Sequence, residues 1–314
     1  MPKVSVIIPV YGVEKYIERC ARSLFEQTLD DIEYLFIDDC TPDKSIEILK
    51  NVLEEYPHRK NQIIIHRMEK NSGQAAVRKW GMLNATGDYV IHCDSDDWVD
   101  VTMYEKMYNK AIEEDADVVV CDFYRSDSVT DVGTRVLGIP KNCKDHFKDL
   151  LCHKLQPAVW NKLVRRDLYD KIYFYPTYNM GEDFALLVQI FNNCKKIMHL
   201  KQPLYYYFTN SESITGLNSY DNVSKRVIQL KENVLLVQKY LSGQGLDIKY
   251  KDEITNLKIF TKGEALQCSH DEKWLHLWRE VFPEIRLIDV LLDSNTSIKG
   301  KIAYLLVMIG LYRK

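Results

Sequence analysis

Four stretches of this sequence bring together side chains whose types and spacing could do chemistry. Asp94-Ser95-Asp96-Asp97 sets three carboxylates within four residues, directly after the apolar run Tyr89 to Cys93. Carboxylates two apart at a strand end turn toward one space, and their hard oxygens suit Mg²⁺ or Mn²⁺ that is also chelated by a substrate diphosphate. Asp38 and Asp39 close a second apolar run, Tyr34 to Ile37. Arg78 follows Gly73 on a helical stretch. Glu182 and Asp183 follow Gly181 and open the apolar segment Phe184 to Phe191.

Each stretch also has a purely structural reading. Asp97 suits a helix N-cap, and one cap accounts for one aspartate, not three. A calcium loop fails, because Val99 stands where its turn glycine belongs. Asp38 and Asp39 suit a turn before Thr41-Pro42. Arg78 reads as a solvated helix charge. Acids in a helix's first turn are stabilised by the macrodipole, which suits Glu182 and Asp183 whatever else they do. The residues alone leave these alternatives open.

The elements that must position them are legible from periodicity. Val4 to Val10, Tyr34 to Ile37, Ile63 to Ile65, Tyr89 to Cys93 and Val118 to Cys121 read as strands, several of them apolar on both faces as buried parallel strands are. Between them, Ile17, Cys20, Ala21, Leu24 and Phe25 follow a helical stripe, as do Tyr104, Met107, Tyr108 and Ala111. This is a βαβ series, so the expected fold class is α/β with a mostly parallel Rossmann-like sheet flanked by helices. In such sheets ligands gather beyond the carboxyl ends of the strands, where both acidic clusters of the first hundred residues fall. The pattern loosens between about 126 and 145, and from about 216 it is mostly helical.

Composition narrows the rest. The chain has 314 residues, 46% of them hydrophobic, and a formal net charge of -3. That length and apolar content can bury a sizeable core, and the charge gives no global positive field to gather nucleic acid. Eight cysteines without a CxxC pair, and no signal peptide before Val4, point to a reducing cytoplasm. The last apolar stretch, Ile302 to Tyr312, is flanked by Lys299, Lys301, Arg313 and Lys314. It falls short of the roughly 20 residues a spanning helix needs and suits an interfacial helix on anionic lipid. A helix packed on the domain is the competing reading.

Pro9-Val10-Tyr11, Ile37-Asp38-Asp39, Asn71 to Arg78, Gly87 to Asp97 and Gly181-Glu182-Asp183 occur in an order and at spacings that resemble family 2 inverting glycosyltransferases, over roughly residues 3 to 215. The resemblance implies the GT-A fold and three regions. Residues 1–125 would form the nucleotide-sugar-binding half, 126–215 the acceptor-binding and catalytic half, and 216–314 a helical C-terminal extension. It implies that Pro9, Val10 and Tyr11 line the base pocket and that Asp39, beside Asp38, accepts from the uracil imide. It places Asp96 on an Mn²⁺ or Mg²⁺ ion, with Asp94 nearer the ribose or the metal and Ser95 and Asp97 in the same donor-binding motif. Arg78 and Gly73 would belong to the segment that closes over the donor. Asp183 would be the general base and Glu182 a neighbour that orients a sugar. Trp160 is a candidate for stacking on a sugar ring, although aromatics at such spacing usually build core.

By the same resemblance the partners are a nucleotide-sugar donor and a hydroxyl acceptor on a lipid-linked or growing surface glycan, with the tail on the inner face of the membrane. The sequence says nothing of oligomeric state. The chain departs from the family's pattern at Cys40-Thr-Pro-Asp43, where Gly-Ser is usual after the paired aspartates, and at Phe208-Thr209, where an arginine is usual. A sugar nucleotidyltransferase would carry a glycine-rich basic loop after the first strand, and Tyr11-Gly-Val-Glu-Lys15 holds one glycine. A non-catalytic sugar-nucleotide-binding partner of a membrane complex would have no use for both Asp96 and Asp183.

Overall fold

The apolar runs become strands because their β-branched side chains pack on a pleated surface buried on both faces. The computed structural model describes residues 1–128, 131–209 and 219–312, in two units. The expected boundary at 215/216 and the tail cations Arg313 and Lys314 lie outside the described residues.

The first unit comprises Met1–Cys143, Gln156–Tyr175 and Gln189–Thr209. Its elements are β1 (Val4–Val10), α1 (Ile17–Phe25), β2 (Ile32–Asp38), α2 (Ser45–Glu54), β3 (Ile63–Arg67), α3 (Gln74–Asn84), β4 (Tyr89–His92), β5 (Trp98–Val99), α4 (Met103–Glu113), β6 (Val118–Ser126), β7 (Thr134–Val136), β8 (Lys162–Arg165) and β9 (Ile197–Phe208). Among the described residues these strands form one nine-stranded sheet in the order β3-β2-β1-β4-β8-β6-β9-β5, with β7 paired to β6. The α/β expectation is met. Pairing is parallel from β3 to β4 and between β6 and β9, while β8 runs antiparallel to both β4 and β6.

Register aligns the carboxyl ends. Val10 pairs with Asp38 and Ile7 with His92, and the Cys93 N–H continues the β4 ladder by donating to the Ile7 carbonyl. Asp38, Asp39 and Asp94 therefore leave the sheet along one edge. The predicted stripe of α1 is buried in full, Ile17, Cys20, Ala21, Leu24 and Phe25 packing on the sheet. Each such aliphatic or aromatic side chain contributes roughly 1.5–3 kcal/mol. That burial anchors the helix that lies against the turn at Asp96.

The second unit comprises Lys144–Leu155, Pro176–Val188 and Asn210–Lys314. It holds α5 (His146–Leu151), the start of α6 (Glu182–Asn193), α7 (Tyr220–Gly243), α8 (Lys251–Glu264), α9 (Trp274–Glu280), α10 (Leu287–Leu292) and α11 (Ile298–Met308). Asp145 caps α5 by accepting from the Lys148 N–H, and Lys148 pairs with the buried Glu253 of α8 at 2.7 Å. His153 stacks on Phe184 and Phe260 at 5.2 and 4.1 Å between ring centres. No described helix is long and apolar enough to cross a membrane.

Candidate active site

The two aspartates that end β2 divide their tasks. Asp38 is buried and closes the turn, accepting from the Thr41 N–H at 2.8 Å and pairing with Arg67 at 2.6 Å. Asp39 reaches across the edge, one oxygen accepting from the Ser72 N–H at 2.7 Å and the other from the Gly73 N–H at 2.8 Å. This fork fixes the loop that opens α3. Gly73 sits at φ +83°, a conformation glycine adopts without a Cβ penalty. Cys40 also lies in the left-handed region, at φ +57°, and its position is the one where the family's pattern has glycine.

The turn at 94–97 lies beside this loop. The Asp97 N–H closes it on the Asp94 carbonyl at 3.1 Å, and the Ser95 hydroxyl donates to the Pro9 carbonyl at 2.6 Å, tying the turn to the end of β1. Arg78 is 1% exposed and pairs with the Asp94 carboxylate at 2.6 Å. It is thus no solvated helix charge. Asp97 turns inward and accepts from the Tyr205 hydroxyl at 2.6 Å and the Phe208 N–H at 2.7 Å, and burial drives its carboxyl well above the ordinary range. Tyr205 also takes the Asp94 N–H at 3.1 Å, so β9 holds the turn from below.

Asp96 differs from both neighbours. Among the described residues the one donor to its carboxylate is its own backbone N–H, and burial together with the Asp94 charge pushes its carboxyl up to about 6. Tyr11, directly after β1 and so between the ends of β2 and β4, is half exposed. Trp160 lies in the aromatic core, stacked behind Tyr205 at 4.3 Å and edge-on to Phe123 at 4.7 Å.

Sequence reasoning passed over Arg19. Its guanidinium stacks on the Trp98 ring at 3.8 Å and donates to the Asp96 carbonyl at 2.8 Å, while Nε and one terminal nitrogen are buried without a partner among the described residues. Burial lowers its pKa. One position along the apolar stripe of α1, an arginine gives no signal of its own. Tyr205 and Phe208 were visible as an aromatic run, but their bonds to Asp97 follow from the β5–β9 pairing of Trp98 with Tyr206.

In the second unit Glu182 and Asp183 open α6, with Glu182 buried. The loop before them is held by α7. Asn233, fully buried, donates to the Tyr178 and Met180 carbonyls at 2.9 and 2.8 Å, and Gln229 accepts from the Met180 N–H at 3.0 Å. Gly181 has φ +80°, and a Cβ there would come 2.7 Å from the Leu230 side chain. Backbone groups of an irregular segment that would otherwise lack partners are satisfied by side chains of one helix face.

No described group of three or more His, Cys, Asp or Glu residues has the geometry of a complete metal cage. Two carboxylates are what a Mg²⁺-type ion takes from a protein when substrate phosphates and water complete its shell. The uncompensated charge at Asp96 beside Asp94 fits that arrangement.

A sheet with parallel strands whose carboxyl edge gathers carboxylates over a buried arginine belongs to the class of α/β proteins that take their ligands at that edge. The model of the family described as Glycosyl transferase family 2 matches residues 5–191, and the chain belongs to that family. It is 33% identical over 226 residues to EpsJ of Bacillus subtilis (strain 168), described as an uncharacterized glycosyltransferase, covering 69% of this chain and 64% of that protein's length. The aligned part of the chain thus spans under two thirds of that relative. The fold is GT-A. It is similar to S. aureus TarS 1–349, solved with UDP-GlcNAc, at TM-score 0.60 and 17% identity, covering 99% of this chain and 93% of that one. The mannosyltransferase PcManGT from Pyrobaculum calidifontis, solved with GDP-Man and Mn²⁺, gives TM-score 0.60 at 14% identity, covering 99% and 81%.

Proposed function

We propose that the chain transfers a sugar from a nucleotide-diphosphate donor, a UDP-sugar, to a hydroxyl of a lipid-linked or growing surface glycan, inverting the anomeric centre. The observation that carries this reading is the Asp94–Asp97 turn, in which Asp94 is engaged by Arg78, Asp97 is buried on Tyr205, and Asp96 is left to meet a ligand. That fold neighbours were solved with UDP-GlcNAc, and with GDP-Man and Mn²⁺, supports a nucleotide-sugar and a divalent ion. In this reading residues 1–125 form the donor half and 126–215 the acceptor half. The protein works at the inner face of the cell membrane, where lipid-linked acceptors lie.

Asp96, with Asp94, would hold the Mn²⁺ or Mg²⁺ ion, which when bound neutralises the charge that builds on the departing diphosphate. Pro9 and Tyr11 line the base, whereas Val10, expected beside them, is fully buried in the core. Asp39 keeps lone pairs beyond those taken by Ser72 and Gly73 and accepts from the uracil imide N–H, which cytosine lacks. Arg78 holds Asp94 in place. Asp183 takes the proton of the acceptor hydroxyl as its oxygen bonds to the anomeric carbon and the carbon–oxygen bond to the diphosphate breaks. Its place in the first turn of α6 favours the ionised form that can do so. Glu182 orients the sugar. One displacement converts an α-linked donor into a β-linked product.

The test measures UDP-sugar turnover with Mn²⁺, and the donor's thermal upshift, in wild type, Asp96→Ala and Asp183→Asn. Asp96→Ala should lose the Mn²⁺-dependent upshift. Asp183→Asn should keep the upshift and lose turnover. An unaltered upshift in Asp96→Ala removes the metal role, and full turnover in Asp183→Asn removes the base.

A further inference from the structure

The C-terminal hairpin α10–α11 has two apolar faces where a surface helix has one. Val290, Tyr304 and Val307 face the second unit, with the Tyr304 hydroxyl donating to the Ile285 carbonyl at 2.8 Å. On the other side of α11, Ile298, Ile302 and Leu305 recur at i, i+4 and i+7 and are exposed. On α10, Ile288, Leu291 and Leu292 do the same at i, i+3 and i+4. Exposure of these six runs from 39% to 78%. A single exposed leucine needs no explanation, but two helices joined by one short connection and both lined with apolar residues form a patch.

Charge decides what the patch fits. From Arg286 to the last residue the sequence has five cations (Arg286, Lys299, Lys301, Arg313, Lys314) against two carboxylates (Asp289, Asp293), in a chain whose net charge is -3. Both carboxylates are engaged, Asp289 with Arg286 at 3.2 Å and Asp293 with Asn256 at 2.7 Å. Lys299 is exposed, and Lys301 donates to the Leu291 carbonyl at 2.7 Å, joining the two helices. In a symmetric pair the same patch serves both copies, so its excess of cations would meet itself. With 11 residues, α11 is about 16 Å long, too short to cross the ~30 Å hydrocarbon layer.

We propose that the α10–α11 hairpin lies in the interface of an anionic lipid bilayer, apolar face down and Lys299 and Lys301 at the headgroups. This deepens the reading that the protein works at a membrane and adds α10, which the sequence had not marked. The experiment is co-sedimentation of the full chain with vesicles of phosphatidylcholine, with and without phosphatidylglycerol. Binding uses neither donor nor acceptor, so its outcome is independent of glycosyl transfer.

Wild type should sediment with the anionic vesicles. Lys299→Gln should weaken partitioning about fivefold, the worth of one basic residue at an anionic surface. Ile302→Asp with Leu305→Asp, and separately Leu292→Asp, should abolish sedimentation while leaving the melting temperature in place, since all three side chains are exposed. Wild type remaining in the supernatant overturns the proposal. So do aspartate variants that bind as well as wild type, or a concentration-dependent dimer without vesicle binding.

Discussion

Replacing Asn233 by alanine tests whether α7 sets the loop that leads into Asp183. The side chain is fully buried and donates two hydrogen bonds, to Tyr178 and Met180 carbonyls. Each contributes about 1 kcal/mol net, and stranding a partly buried carbonyl costs about 1 kcal/mol more. Two opposing effects are smaller: alanine's higher helix propensity returns roughly 0.6 kcal/mol, and the variant also deletes the Asn233 Oδ1, which is buried without a partner among the described residues. The balance is a loss of about 2–3 kcal/mol, concentrated in residues 178–181. Hydrogen exchange read on a peptide covering that loop should therefore report the Met180 amide, held by Gln229 at 3.0 Å, exchanging roughly fifty-fold faster. Turnover should fall with it, with kcat reduced more than donor KM, because the donor's contacts in the proposed site lie in the first unit. If the Met180 amide stays protected at the wild-type level, the Asn233 side chain is not what orders the loop.

Three further outcomes follow from the same geometry. Gly181→Ala should cost roughly 2–3 kcal/mol, from the left-handed backbone at φ +80° and the 2.7 Å approach to Leu230. In a Leu230→Ala background, itself destabilised by loss of a buried side chain, Gly181→Ala should cost only the backbone share in denaturation midpoints, and no cost there would deny that share. His153, held down to about 4 by burial against an ordinary 6.5, binds fewer protons folded than unfolded between those values. Stability is then whole above about pH 6.5 and falls as pH drops toward 4, by roughly 3 kcal/mol. Urea titrations of wild type and His153→Phe across that window should diverge, and parallel curves would exclude His153. Arg19→Met keeps an apolar stem on Trp98 and removes the bond to the Asp96 carbonyl. The Mn²⁺-dependent thermal upshift with a UDP-sugar should shrink several-fold, and an upshift equal to wild type would leave Arg19 a packing residue only.

What the sequence made legible was what local pattern dictates. The strands β1 to β4 and β6 stood out because each is a short β-branched or aromatic run, and α1 and α4 because their stripes are regular. By contrast, β8 contains Lys162, whose ammonium is buried by three acceptors, the Gln156 and Ala158 carbonyls and the Asn161 side chain. No periodicity reveals a lysine satisfied by neighbours in its own turn. The twelve residues of β9 include Lys201, Gln202 and Pro203 at an irregular register with β6, which breaks the alternation a strand is recognised by. Arg78 misleads for a related reason. Arginine is usually at the surface, and the strand register that sets Asp94 2.6 Å away helps make its burial tolerable.

The sharpest limit is that the motif's three aspartates read as equivalents and are not. A one-letter pattern lists three carboxylates, but the β5–β9 pairing decides which of them finds donors. Trp98 opposite Tyr206 puts the Tyr205 hydroxyl and the Phe208 N–H under Asp97, and α3 puts Arg78 beside Asp94. Both are thereby fixed in direction. Among the described residues neither strand nor helix supplies a hydrogen-bond donor to the Asp96 carboxylate beyond its own N–H, while its carbonyl is held by Arg19. A turn clamped at its backbone and at two of three side chains presents the third in one orientation at little further entropic cost. If that is why the turn is built so, Tyr205→Phe should behave unlike an ordinary core substitution. It leaves the ring stacked on Trp160 at 4.3 Å yet removes one of the two donors to Asp97 and the acceptor of the Asp94 N–H, so donor-induced stabilisation with Mn²⁺ should fall by more than the melting temperature of the free protein does.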